Sequence, residues 1–289
     1  HVRFDEEGMV THSFTLHFYG YYLFEVFLME LYGDYHTHCY RSDGRQNEEE
    51  IISAARERGL KEVAITDHGP LAAVIGVSDA NEYFKLRDKL EAIDDNYPDI
   101  KVLLGAEANI RDLQGTLDLP AEVIAELDIL IAGLHPYTLP TSIKEGWALF
   151  VQNSLRHLGR GQQEKAINNN TKATVEVIYN NPQLDILSHP GLFFTVDIAE
   201  VAHACVANDV LFEINCAHEH PGISAIIEAD RVGVDFIINS DAHFQETVGN
   251  LDYGVKLVEK LGIAEQVANR RQGGGHKQWR KKKKNCTYS

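Results

Sequence analysis

The stretch Asp34-Tyr35-His36-Thr37-His38-Cys39-Tyr40-Arg41-Ser42-Asp43-Gly44 sets two imidazoles two residues apart and a carboxylate five residues further on. If Asp34 to His38 ends a β-strand, alternation turns His36 and His38 to the same face. Both then reach one metal ion, while the loop through Ser42 and Asp43 curls back towards a second position. Residues of the same chemistry recur along the chain, each at one place in a repeating pattern.

That pattern is a series of short apolar runs alternating with amphipathic stretches. It predicts strands at Leu31–His36, Glu62–Thr66, Lys101–Gly105, Asp128–Gly133, Leu184–Ser188, Leu211–Asn215 and Phe236–Ser240. Val63-Ala64-Ile65 and Phe236-Ile237-Ile238 are nearly all apolar, as strands buried on both faces are. Between the strands lie helices with readable ends. Asn47 precedes three glutamates that suit the positive end of a helix dipole, and Gly59 closes that helix. Tyr83, Leu86, Leu90 and Ile93 repeat at helical spacing before Pro98. Pro120, Asp197 and Pro221 each mark a helix start. Seven strand-then-helix steps argue for an α/β protein with a parallel sheet, closed or nearly closed into a barrel. Residues 138–183 are too long for one connection and predict a helical insertion after strand four, lying over the active-site face.

Set against these strands, the polar residues fall into register. Strand one ends in His36 and His38, strand two in Asp67 and His68, and strand three runs into Glu107. Strand four leads to His135, strand five to His189, and strand seven to Asp241 and His243. Six of seven predicted strands thus deliver a ligand type at the carboxyl end, where barrels place their active sites. One histidine after a strand is ordinarily a loop or core residue, but the same placement six times is not accidental. Imidazoles with carboxylates and no required thiolate suit Zn²⁺, Mn²⁺ or Fe²⁺ better than Ca²⁺ or Mg²⁺. The set is too large for one ion, and a bridging Glu107 would let two or three divalent ions share a cluster. Such a cluster generates hydroxide near neutral pH and holds phosphoryl or acyl oxygens, so hydrolysis is the natural reaction class.

The motifs His36-Thr37-His38-x-x-x-Ser42-Asp43-Gly44, Thr66-Asp67-His68, Gly105-x-Glu107-x-Asn109, His135-Pro136, Ser188-His189-Pro190-Gly191, Glu213-Ile214-Asn215 and Ser240-Asp241-Ala242-His243 together resemble the series of the PHP (polymerase and histidinol phosphatase) superfamily. The resemblance spans about residues 29–262 and is nearest to the stand-alone, single-domain YcdX-like phosphatase branch. It implies a distorted seven-stranded (βα)7 TIM-like barrel and a trinuclear centre. Carried over, the family pattern puts His36, His38, Glu107 and Asp241 on a first metal. Glu107, His135 and His189 would hold a second, and Asp43, His68 and His243 a third. Some relatives have histidine where this chain has Asp43. Asp67 is expected to orient His68, with Asn109 and Asn215 in comparable supporting roles.

The resemblance implies a phosphoesterase acting on a small phosphate monoester through a metal-bound hydroxide, with Glu107, Asp241 and His135 central to catalysis. Arg41, Arg111 and Arg160, with Arg156, are the cations expected to meet the phosphate. His218 and His220 match no family ligand. The rival readings are a nuclease or phosphodiesterase, and a metal-binding module without catalysis.

Composition constrains these readings. Net charge is -16, yet residues 270–289 hold eight Lys or Arg and no acid, leaving the first 269 residues with 19 basic against 43 acidic, a balance of -24. Such a body repels a nucleic-acid backbone, which needs a basic footprint. Four cysteines without a CxxC pair favour a reduced, cytoplasmic setting. Residues 1–28 are rich in aromatics but interrupted by acids, so they predict neither a membrane span nor a secretory signal and read as an upstream extension or as non-native sequence. Residues 29–269 form the barrel domain, and 270–289 a flexible basic tail.

Overall fold

The computed structural model describes residues 29–280. The aromatic-rich segment 1–28 and most of the basic run from Arg280 to Lys284 lie outside the described residues. The strands are β1 (Gly33–Asp34), β2 (Glu62–Ile65), β3 (Lys101–Asn109), β4 (Ile129–Gly133), β5 (Ile186–Leu187), β6 (Leu211–Asn215) and β7 (Phe236–Asn239). They form one seven-stranded sheet in sequence order, each parallel to the next.

β5 is shorter than expected, at Ile186–Leu187, and β1 and β3 differ from their expected lengths for local reasons. β1 is short because Thr66 takes over its pairing: the Thr37 amide donates to Thr66 Oγ1 at 3.1 Å while the Thr66 amide donates to the Thr37 carbonyl at 2.8 Å. β3 is long because it serves two neighbours in turn. Residues 101–104 pair with β2 and residues 105–109 with β4. The change of partner falls at Gly105, where a Cβ would lie 2.5 Å from Thr66 Cγ2.

Between β7 and β1 the ladder gives way to side chains. The Asn269 amide donates to the carbonyls of Gly33 (2.9 Å) and Ile238 (2.7 Å), and its oxygen accepts from the Ile238 amide. A parallel bridge between Thr37 and Ala242 completes the seam. The barrel is therefore nearly closed, one join being made by an asparagine.

The strands are buried on both faces, which is why they read as continuous apolar runs. Val102, Leu104, Ala106 and Ala108 of β3 pack outward against the helices, whereas Leu103 points into the barrel with Tyr35, Ala64, Ile129, Ile131, Ile186, Leu211 and Ile237. The inward column changes character along each strand. In β3 it runs Leu103, Gly105, Glu107, Asn109, and in β6 Leu211, Glu213, Asn215. Alternation thus fills the amino half of the barrel with hydrocarbon and the carboxyl half with polar groups.

The helices are α1 (Glu48–Glu57), α2 (Asn81–Ile93), α3 (Ala121–Glu126), α4 (Ile143–Gly146), α5 (Gln152–Leu155), α6 (Arg160–Asn180), α7 (Ile198–Ala207), α8 (Ile223–Val232) and α9 (Asp252–Leu261). Asn47 and Glu50 form a reciprocal capping box on α1, and Asp197 caps α7 through the Glu200 amide. Gly233 ends α8 in the left-handed region at φ 90°.

The 138–183 connection is helical but does not cover the cavity described below, which none of its residues lines. Its long helix α6 is the crossover to β5. It is held to the side of the barrel by Asn180 and Asn181, which donate to the carbonyls of Gln114 and Gly115.

Residues 271–280, expected within a flexible tail, are instead packed on the amino end of the barrel. His276 and the Tyr35 hydroxyl both bond the buried Glu62 carboxylate, and the Trp279 ring meets Tyr35 edge-on at 5.5 Å. Arg280 bonds Asp185. The reason is hydrophobic: the inward apolar column opens at this end and Trp279 covers it.

Candidate metal centre

The strand ends and the loops that follow them bring all nine expected ligands into one cluster. Glu107, 1% exposed, sits at its middle. Its Oε2 is 3.3 Å from His36 Nε2, 3.7 Å from His38 Nε2 and 3.1 Å from His68 Nδ1. Its Oε1 is 3.2 Å from His135 Nε2 and 3.0 Å from His189 Nε2. Asp241 Oδ1 lies 3.2 Å from His38 Nε2, and Asp43 Oδ2 lies 3.3 Å from His243 Nε2 and 3.8 Å from His68 Nε2. Donor atoms within 4.8 Å of one another form three overlapping groups: His38-Asp43-His68-His243, His36-His38-Glu107 and His68-Glu107-His135.

These contacts are not ordinary hydrogen bonds. His36 Nε2, both nitrogens of His38, His68 Nδ1 and Glu107 Oε1 are buried without a hydrogen-bond partner. Orphaned polar atoms in a protein interior are costly and rare. Their spacing of 3.0 to 3.7 Å matches the edge of a tetrahedron of ligands about 2.1 Å from a shared ion. The residues present therefore fit divalent metal.

Electrostatics agree. Burial would lower the pKa of His36, but Glu213, Asp241 and Glu107 hold it well above the usual histidine value. Burial drives His68 down to about 3, keeping it in the neutral form that ligates. Burial would raise Glu107 and Asp241, yet the surrounding imidazoles hold both well below ordinary carboxylate values. The carboxylates likewise raise His189, and His243 to about 9, so positive charge is favoured at these imidazoles, and a divalent cation would take the place of their protons.

Neighbouring groups fix which nitrogen faces inward. His36 donates its Nδ1 proton to Glu213 Oε1 at 2.7 Å, leaving Nε2 for the centre. His135 donates from Nδ1 to Asn109 Oδ1 at 2.8 Å, and His243 from Nδ1 to the Asp241 carbonyl at 2.9 Å. Asn109 is itself held by Asp118, which accepts from its amide and from its side chain, each at 2.7 Å. Asn215 donates to Asp241 Oδ2 at 2.9 Å. His189 and Asp241 have φ of 27° and 53°. Non-glycine residues in this region carry backbone strain, which is common where a side chain must be aimed.

Some expectations do not survive. Asp67 does not hold His68: its carboxylate accepts from the Cys39 amide, the Cys39 thiol and the Ser42 hydroxyl, so it shapes the first ligand loop. None of the three arginines lines the cavity. Arg41 is spent on Glu48 (2.9 Å) and Glu82 (2.7 Å) on the outer side of that loop. Arg111 donates to the Leu139 carbonyl. Arg160 shares a separate hollow with Arg156, His157 and Gln163. Sequence reasoning also passed over Glu213 as a holder of His36, Asp118 behind Asn109, and His218, which lines the cavity with Nε2 3.6 Å from Asp241. Glu213 was signalled by its place on an inward column. Asp118 carries no such signal, because it lies beyond the strand.

Comparison with known proteins places this geometry. A model of the PHP domain matches residues 34–246. A probable phosphatase of Thermoanaerobacter sp. (strain X514) is 30% identical over 268 residues, covering 89% of this chain and 97% of the relative. One of Caldanaerobacter subterraneus subsp. tengcongensis is 29% identical, covering 85% and 95%. Among solved structures, histidinol phosphate phosphatase from Lactococcus lactis subsp. lactis Il1403, complexed with zinc, L-histidinol and phosphate, aligns with TM-score 0.56 and 20% identity over 80% of this chain and 94% of that one. The histidinol phosphatase described for Listeria monocytogenes aligns with TM-score 0.53 and 18% identity, over 75% and 97%. At these identities the two structures speak for the fold, and the match to the domain model over most of the chain speaks for descent: the chain belongs to the PHP domain family.

Proposed function

We propose that the protein is a metal-dependent phosphoesterase that hydrolyses a small phosphate monoester at a centre of up to three divalent transition metal ions. The observation that carries this is the convergence of His36 Nε2, His38 Nε2 and His68 Nδ1, each buried without a hydrogen-bond partner, on the Glu107 carboxylate, whose Oε1 is orphaned too. His36, His38, Glu107 and Asp241 would hold one ion, Glu107, His135 and His189 a second, and Asp43, His68 and His243 a third. Mixed nitrogen and oxygen donors suit zinc, manganese or iron. Bound there, such ions supply Lewis-acid polarisation of a phosphoryl oxygen and activation of water for in-line attack.

The chain's own residues set the geometry for that chemistry. Glu213, Asn109 and the Asp241 carbonyl each take the Nδ1 proton of an imidazole, so three Nε2 atoms are turned inward, where an ion would displace any proton they carry. Among the described residues no lysine or arginine lines the cavity, so the metals would be the main positive charge facing the phosphate. Within the cavity a polynucleotide backbone would meet no lysine or arginine of the described residues, which disfavours a nuclease.

Metal analysis of the purified, metal-replete protein should find two to three equivalents of transition metal per chain. His135→Ala and Asp241→Ala should abolish hydrolysis of an aryl phosphate while leaving the circular dichroism spectrum native. Equal activity in wild type and both variants would sink the proposal.

A further inference from the structure

The cavity divides by chemistry along its depth. Its floor is the imidazole and carboxylate cluster, and its mouth carries Ile75, Tyr137, Phe193 and Phe244. Tyr137, Phe193 and Phe244 are 58%, 38% and 49% exposed. Grouped large apolar side chains exposed around a polar pocket mark a surface that meets a ligand.

This rim is built into the fold. Residues 71–73 and 137–139 run antiparallel across the mouth, the Ala73 amide donating to the Tyr137 carbonyl at 2.8 Å and the Leu139 amide to the Leu71 carbonyl at 2.9 Å. That ribbon positions Tyr137 and the adjoining Ile75 on one wall. Phe193 is set edge-on against two ligand rings, 5.7 Å from His135 and 5.6 Å from His189. Phe244 follows the ligand His243 directly in sequence. Each aromatic wall is therefore tied to the same strand ends that carry the ligands.

Charge decides what kind of group fits. The only carboxylates lining the cavity are Asp43 and Asp241, both in the ligand set, and no lysine or arginine lines it among the described residues. A leaving group with a second phosphate or a carboxylate would be desolvated without a cation. One with an ammonium group would find no uncommitted carboxylate. A cavity of about 550 Å³ holds a phosphate with one or two rings.

We propose, resting on the phosphomonoesterase reading above, that the substrate class is phosphate monoesters of uncharged aromatic alcohols, with the ring seated among Tyr137, Phe193 and Phe244. The test uses the metal-replete full chain and three esters of closely similar intrinsic reactivity: ethyl phosphate, benzyl phosphate and 4-carboxybenzyl phosphate. The expected kcat/KM for benzyl phosphate exceeds the other two by about tenfold or more, the scale of a well-placed aromatic contact. Tyr137→Ala and Phe244→Ala should bring the benzyl-to-ethyl ratio towards one. Phe244→Arg should raise activity on the carboxybenzyl ester. Calorimetry provides a readout apart from turnover: benzylphosphonate should bind about tenfold tighter than methylphosphonate. Equal kcat/KM across the three esters, with ratios unmoved in the variants, overturns the substrate class and leaves the phosphatase reading standing. Hydrolysis of none of them at full metal content removes that reading and this inference with it.

Discussion

Glu213 accepts the Nδ1 proton of His36 across 2.7 Å, and both side chains are fully buried. The pair fixes which nitrogen of an otherwise ambiguous imidazole is turned to the cluster. Glu213 also accepts from the His189 amide at 2.8 Å and from Asn239 at 2.9 Å, so one carboxylate steadies parts of three strand ends.

Glu213→Gln replaces an acceptor-only group with one that presents N–H to at least one of these donors. Zinc affinity, measured by chelator competition, should fall about 10- to 100-fold, as for other groups that orient a ligand. An unchanged affinity would show that His36 is held by packing alone.

Asp118→Asn tests a longer relay. Asp118 is linked to His135 by hydrogen bonds through Asn109, and its pKa is raised by burial against the opposing bonds from Asn109 and Leu71. The substitution should lower the metal content by about one equivalent while the remaining ions stay bound. Metal analysis by mass spectrometry distinguishes this from a general loss of fold.

Gly133→Ala probes a close approach. A Cβ at Gly133 would lie 2.4 Å from His135 Cε1 and 2.5 Å from Ser188 Oγ. The imidazole must swing away, so phosphatase activity should drop at least tenfold, with a smaller change in the urea midpoint than a core cavity produces.

The C-terminal cover of the barrel predicts a pH signature. Burial would raise Glu62, but bonds from His276 and Tyr35 hold its pKa below the ordinary value of 4.5. A depressed folded-state pKa stabilises the protein above the unfolded value, and that stability is lost as pH falls through the folded one. Urea unfolding of wild type should therefore weaken from about pH 5 downward relative to Glu62→Gln, with the two converging in acid. Trp279→Ala should cost about 2 kcal/mol, less than a fully buried Trp because this one is half-buried.

Much of this was legible in the chain itself. Tandem apolar runs with ligand types at their carboxyl ends defined seven strands and the end of the barrel that bears the site, because alternation and chain direction are local properties, and the motif resemblance named the nine side chains that converge there. The seam at Asn269, the relay from Asp118 and the docking of Trp279 depend on residues that meet only after the chain has closed on itself. So does the fate of the arginines: their charge is plain in the sequence, but Arg41 faces Glu48 and Glu82 rather than the cavity. Sequence by itself determined which side chains carry metal-type donor atoms at the strand ends, since that is a matter of residue type and spacing. Only the tertiary structure decided which nitrogen each imidazole turns inward and which walls enclose the cavity, because those follow from hydrogen bonds and packing between elements far apart along the chain.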